Sequence, residues 1–324
     1  MKTPATKIVP VSANLPAIQT MVDQAKDYAN ASKATATRKA YASDLRDFAA
    51  FCDEIGECQL PASPQTVALY FTALASTKTV STIRRRMVAI SQSHKERMLA
   101  NPVADPHVQA IIAGIARVKG TAQRKKDALT GDHLRSALLT INTETLQGKR
   151  AKAMLLLAFA CAGRRSEIAA LNVEDLRFER AGLVVTIRRS KTDQLGEGRE
   201  IGVPYVLNAG LCAVQAVKTW LEASKIRTGP LFRTFSFAGI LTKNRIDGKD
   251  VSRLVKRVVG NAGIEGDFAA HSIRAGFITQ AASTKGVSEV DIQRVSGHRS
   301  VAILRGYVRR ANVFQDAPLS AMFG

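Results

Sequence analysis

The chain has 324 residues, 47 Lys and Arg against 27 Asp and Glu, and a formal net charge of +20. With 46% apolar residues, 10 Pro and 22 Gly, collagen-like and wholesale disordered chains are excluded, packed cores are expected, and the length fits two domains. The charge implies persistent attraction to polyanions, nucleic acid being the commonest. Residues 1–127 hold 18 basic and 10 acidic side chains and residues 128–324 hold 29 and 17, so both halves are positive, as a clamp closing on DNA from two sides requires.

Residues 1–20 mix Pro, Ser, Thr and Ala without periodicity and read as a flexible arm; no apolar run follows Lys2 or Lys7, so no secretion signal is expected. From Thr37, the residues Tyr41, Leu45, Phe48 and Phe51 recur at helical spacing among charged neighbours, and Gly56 ends that helix. Further helices follow Pro64 (Val67, Tyr70, Phe71, Leu74), start near Ser81 (Ile83, Met87, Ile90) and follow Pro106 (Val108, Ile111, Ile112, Ile115). Residues 21–116 thus form a compact all-helical lobe. The stretch R-V-K-G-T-A-Q-R-K-K-D, 117–127, has five basic side chains and no apolar periodicity, and reads as an inter-domain linker.

A second lobe, 128–312, opens with Thr130 as a helix cap and Leu134, Leu138 and Leu139 as its first core residues. Two helices broken around Gly163 follow. The apolar run 153–162 is about half the ~20 residues that cross a bilayer, so no membrane insertion is expected. Residues 182–188 are rich in β-branched types, D-Q-L-G-E-G makes a turn, and 199–203 return as a partner strand. From Leu207 onward the pattern is helical, over 210–224, 249–261, 271–285, 289–296 and 300–309. The fold class is mainly α with one small hairpin in the second lobe. Cys52, Cys58, Cys161 and Cys212 form no C-x-x-C pair and sit in apolar, helical-looking stretches, as reduced thiols of a cytoplasmic protein do.

Nucleotide and metal motifs are missing. Gly148 and Gly248 precede lysines, but Thr143 and Lys243 stand where a phosphate-binding loop needs its first glycine, and Gly196, Gly198 and Gly202 belong to a hairpin turn. There is no H-E-x-x-H and no paired C-x-x-C. Catalysis is therefore expected to run with no cofactor, neither ATP nor an obligatory metal ion. What stands out is a set of cationic and hydrogen-bonding residues: Arg164 in C-A-G-R-R-S-E, Lys191 in R-R-S-K-T-D, His271 and Arg274 in H-S-I-R, His298 in S-G-H-R-S and Tyr307 in R-G-Y-V-R-R.

In this order and spacing the segments resemble the tyrosine recombinase, or phage integrase, family, over 127–310, and the helical lobe with its linker is similar to the family's core-binding domain. The segment around Arg164 departs from the family's more usual T-G-L-R-x-S-E; Arg164 rather than Arg165 is taken because it stands two before Ser166. The resemblance implies that Tyr307 attacks a phosphodiester and leaves a 3′-phosphotyrosyl link and a free 5′ hydroxyl. The chemistry agrees. A tyrosine phenol ionises near pH 10, so only about 0.1% is phenolate at pH 7 and cations must compensate. Arg164 and Arg274 offer forked donors to the two non-bridging oxygens, His298 adds a donor, Lys191 at the hairpin gives the leaving oxygen its proton, and His271 takes the phenol proton or holds the phosphate. Glu167 is expected to buttress Arg164 or His271 from behind.

For DNA contacts the sequence offers Arg84, Arg85 and Arg86 at a helix start, with His94, Lys95 and Arg97 further along, and Arg124, Lys125 and Lys126 in the linker following the phosphates. By analogy with the family, the apolar tail 313–324 packs into a neighbouring subunit, linking four protomers on two specific double-stranded recombination sites, with accessory DNA-bending proteins as further partners. Two rivals stay open: a type IB topoisomerase and a DNA-binding regulator without turnover.

Overall fold

In the computed structural model, residues 15–122, 126–190, 193, 196–298, 305–307 and 322 are described. The chain divides into two units, Met1–Arg124 and Lys125–Gly324. The first is helical: α1 (Leu15–Ala31), α2 (Thr35–Ile55), α3 (Pro64–Thr77), α4 (Val80–Lys95) and α5 (Pro106–Lys119). Helix α1 starts inside the segment read as a flexible arm, because Ile18, Met21 and Val22 continue one helical face through good helix formers. Helix α5 likewise runs through Lys119 into the stretch read as linker; nothing breaks it before Gly120, whose φ is 71°. Three starts are fixed by side-chain caps on N–H groups that lack an intrahelical partner, Ser63 on Thr66, Thr79 on Thr82 and Asp105 on His107. Phe48, Cys52, Tyr70, Phe71, Ile83 and Val108 form the core between α2, α3, α4 and α5.

The second unit is built round α7 (Leu146–Ala160), which follows α6 (Gly131–Leu139). Its residues Ala153, Met154, Leu155, Leu156 and Leu157 are all buried, so the longest apolar run is a helix enclosed on every side. A tight turn leads to α8 (Arg165–Ala170). Three antiparallel strands follow, β1 (Leu176–Phe178), β2 (Gly182–Ile187) and β3 (Arg199–Pro204). Helix α9 (Ala213–Ser224) packs on α7 and buries Trp220, whose indole N–H donates to the Leu231 carbonyl at 2.9 Å. A second hairpin, β4 (Arg233–Phe235) with β5 (Leu241–Arg245), precedes α10 (Gly248–Asn261), α11 (Ala270–Ser283) and α12 (Glu289–Ser296).

The expectation of helices only after Leu207 is corrected by β4 and β5, and β1 is a further strand that the sequence pattern does not predict; both reflect segments of three to five residues, too short for a period of two to stand out. Cys52, Cys161 and Cys212 are buried, whereas Cys58 is exposed in the loop after α2 rather than within a helix. Among the described residues no helix is long and apolar enough to cross a membrane.

Candidate active site

Arg164 stands at the N-cap position of α8, directly after the turn that follows α7. The turn is tight: Ala162 adopts a left-handed φ of 45°, and a Cβ on Gly163 would lie 2.5 Å from Ile168. Glu167, one turn into α8 and buried, accepts from the Arg164 backbone N–H at 3.1 Å and from its guanidinium at 2.6 Å. The carboxylate thereby holds the arginine side chain against the first turn of α8. A second guanidinium, from Arg199, reaches the other carboxylate oxygen of Glu167 at 3.2 Å.

Arg199 is a site residue that the sequence reading misses. It opens β3, where Ile201 and Val203 are buried and Glu200 and Gly202 exposed. A cation in phase with the buried positions of an alternating strand needs a buried counter-ion, and that phase is the signal that could have found it. Arg165, the alternative to Arg164, is exposed beside Gly248 at the start of α10. Lys191 and its neighbour Thr192 lie outside the described residues. The nearby turn is ordered by Asp193, whose carboxylate accepts from the backbone N–H groups of Gly196, Glu197 and Gly198 at 3.0, 3.1 and 2.8 Å.

Helix α11 supplies His271 and Arg274 one turn apart. Its start is fixed by the Leu129 N–H, which donates to the Ser272 carbonyl at 2.9 Å, and by Gly276, where any Cβ would stand 1.8 Å from the Leu129 carbonyl oxygen. Arg274 is 2% exposed. It donates through Nη1 to the Ala162 carbonyl at 2.7 Å, and its Nη2 lies 3.1 Å from Nε2 and 3.3 Å from Nδ1 of His298. His298 follows Gly297, the left-handed C-cap of α12. The Ser296 hydroxyl stands 2.8 Å from its Nδ1, and the Gln293 amide donates to its backbone carbonyl at 2.8 Å. Tyr307 packs on the small cluster of Ile278 and Ile292, with its hydroxyl 3.1 Å from His271 Nε2 and its ring 6.2 Å from that of His298. The structure therefore brings together Arg164, Glu167, His271, Arg274, His298 and Tyr307 from four separate stretches of sequence.

The site is electropositive before any ligand arrives. Burial, then the charge of Arg274 and of Arg164, pushes His298 down to about 4, and the same causes in the same order hold His271 below the usual histidine value. A guanidinium can only donate, so the ring nitrogen of His298 facing Arg274 carries a lone pair, in keeping with a neutral imidazole. Burial and Arg164 bring Arg274 down to about 10, which still leaves it charged at pH 7. Neutral His271 can accept the phenol proton, and an anion beside Arg164 and Arg274 would offset their mutual repulsion.

The residues expected to touch DNA fare unevenly. Arg84 and Lys95 are exposed on α4. Arg85 is exposed and pairs with Asp44. Arg86 is corrected: its guanidinium is buried against Asp47, Asp44 and the Tyr70 hydroxyl, because its helical position faces α2 and α3. His94 is also buried, accepting from the Ala62 N–H at 3.0 Å. Lys126 is in an ion pair with Asp267, and Arg124, Lys125 and the tail segment 313–321 lie outside the described residues.

A buried arginine, Arg274, a half-buried one, Arg164, two histidines and a tyrosine hydroxyl are thus gathered on a mainly helical domain with two small antiparallel sheets. The phage integrase family model matches residues 127–312, and the chain belongs to that family: it is a tyrosine recombinase, an enzyme that breaks and rejoins DNA strands. It is 38% identical over 304 residues to the integrase/recombinase xerD homolog of Selenomonas ruminantium, covering 93% of this chain and 89% of that one. Among solved structures, a lambda integrase tetramer bound to a Holliday junction gives a TM-score of 0.61 at 15% identity, covering 90% of this chain and 76% of that one. The Tn1549 transposon integrase in complex with transposon right end DNA gives 0.58 at 17% identity, covering 92% and 98%. The two structures share the fold.

Proposed function

We propose that this chain is a site-specific recombinase in which the Tyr307 oxygen attacks a phosphodiester, forming the bond to phosphorus as the bond to the 5′ oxygen breaks. The phenol proton passes to His271 and Lys191 supplies a proton to the departing 5′ oxygen. Arg164 and Arg274, with His298, hold the non-bridging oxygens as negative charge grows on them. The phosphotyrosyl link keeps the energy of the bond it replaces, so a second 5′ hydroxyl reverses the step without a nucleotide or a metal ion. The observation that carries this reading is the Tyr307 hydroxyl 3.1 Å from His271 Nε2, beside the Arg274–His298 pair.

Assembly follows the same reading: four protomers on two DNA sites, tied by the tail 313–324. The lambda integrase structure, a tetramer on a Holliday junction, supports it. Cleavage is tested on a nicked substrate that traps the covalent adduct as a shifted band on a denaturing gel. Wild-type protein is expected to form the adduct and Tyr307→Phe to form none; an adduct that persists in Tyr307→Phe overturns the assignment of the nucleophile.

A further inference from the structure

We propose that Arg199 is a positioning residue of this site, holding the Arg164 side and the His298 side in register through one guanidinium; the proposal rests on the recombinase reading above. Three observations converge on it. Its Nη2 reaches Glu167 Oε2 at 3.2 Å, while Glu167 Oε1 holds the Arg164 guanidinium at 2.6 Å, so the two arginines share one buried carboxylate. Its Nη1 lies 2.8 Å from where a Cβ at position 297 would stand, so the guanidinium is packed on the residue immediately before His298. Its Nε is buried and finds no hydrogen-bond partner among the described residues, so burying this cation carries a desolvation cost that the Glu167 carboxylate offsets.

The arrangement explains why a cation rather than an aliphatic residue continues the inward row of Ile201 and Val203. An apolar side chain would leave Glu167 to Arg164 alone and remove the polar wall behind Gly297. The planar fork of an arginine can bond the carboxylate with one nitrogen and pack on the glycine with another, which an ammonium cannot do. Its charge also adds to those that lower the pKa of His298 and of Arg274. Strand β3 is in addition the return limb of the hairpin that bears Lys191, so the contact ties that limb to both halves of the phosphate site.

The test measures adduct formation on the nicked substrate with DNA at saturation, alongside DNA affinity and thermal unfolding, for wild type, Arg199→Lys, Arg199→Gln, Glu167→Gln and the Arg199→Gln/Glu167→Gln double variant. Arg199→Gln is expected to slow adduct formation about 100-fold, the scale of a misplaced reacting group, with DNA affinity within about threefold of wild type. Arg199→Lys, which keeps the charge but not the fork, is expected to fall between, about tenfold slow. In the Glu167→Gln background the Arg199→Gln loss should shrink to about tenfold or less, because the shared carboxylate is already gone. A wild-type rate in Arg199→Gln, equal losses in both backgrounds, or a loss that appears only as weakened DNA binding overturns the proposal. Where Arg199→Gln does not fold, Arg199→Lys decides alone, and a wild-type rate there is the overturning result. If wild-type protein itself forms no adduct, the recombinase reading falls and this proposal with it.

Discussion

His298 is displaced far below its ordinary value, and the sign of that displacement fixes a stability prediction. An unfolded histidine titrates near 6.5, while burial and the neighbouring guanidiniums bring folded His298 to about 4. Between these values the unfolded chain binds a proton that the folded chain does not, so stability present above about pH 6.5 is lost as pH falls toward 4. The melting temperature of DNA-free protein is expected to drop across that window, and less steeply in His298→Asn; equal slopes in calorimetric scans would remove this account. The three arginines of α4 also separate by environment. Arg86→Met leaves the buried Asp44 with less of its compensating charge and is expected to cost about 3 kcal/mol, read by denaturant unfolding. Arg84→Ala should change stability by no more than about 0.5 kcal/mol, yet lower the slope of DNA affinity against salt by about one phosphate contact. In the sequence the triplet looks uniform, since three consecutive arginines share no periodicity that says which one turns inward. Only the helix phase set by Ile83, Ala89 and Ile90 does so.

At the level of elements, what the sequence makes legible is what periodicity and punctuation can carry. Helices with an apolar face and a clear start or stop are readable: α2 ends at Gly56, α3 starts at Pro64 behind the Ser63 cap, and α12 runs from the Ser288 cap to Gly297. The hairpin of β4 and β5 is not, because Thr234, Phe235 and Leu241 surround a turn at Gly239 with too few residues to display alternation. Arg199 is hidden for a related reason: its meaning depends on Glu167 thirty-two residues earlier. Packing between elements is equally invisible in one dimension, and Gly276 is the clearest case. Its lack of a side chain lets α11 approach the Leu129 carbonyl. Gly276→Ala is expected to destabilise the protein by about 2 kcal/mol through overpacking and to reduce adduct formation, since Arg274 lies two residues away. Normal activity and stability in that variant would show that the helix can shift at no cost.

For the whole molecule, the excess of positive charge in both halves and the basic stretch between two apolar-patterned regions are legible in the amino-acid sequence, and the order of the site residues points to one family across the second unit. The assembly reading adds a prediction at this scale. A chain ending at Asn312 should still form the phosphotyrosyl adduct on a single nicked site but fail to pair two sites, as native gels or light scattering with two-site DNA would show. Retained pairing would mean that the tail serves its own subunit.

The contact between Arg274 and the Ala162 carbonyl bears on how the protein comes into being. It joins positions 112 residues apart in the chain, and Tyr307 is synthesised after every other member of the site. A nascent chain that has not reached Arg274 therefore lacks the guanidinium that bonds the turn before Arg164, and one that has not reached Tyr307 lacks the proposed nucleophile. On the proposed mechanism, strand cleavage is therefore expected only of a chain whose synthesis has passed Tyr307.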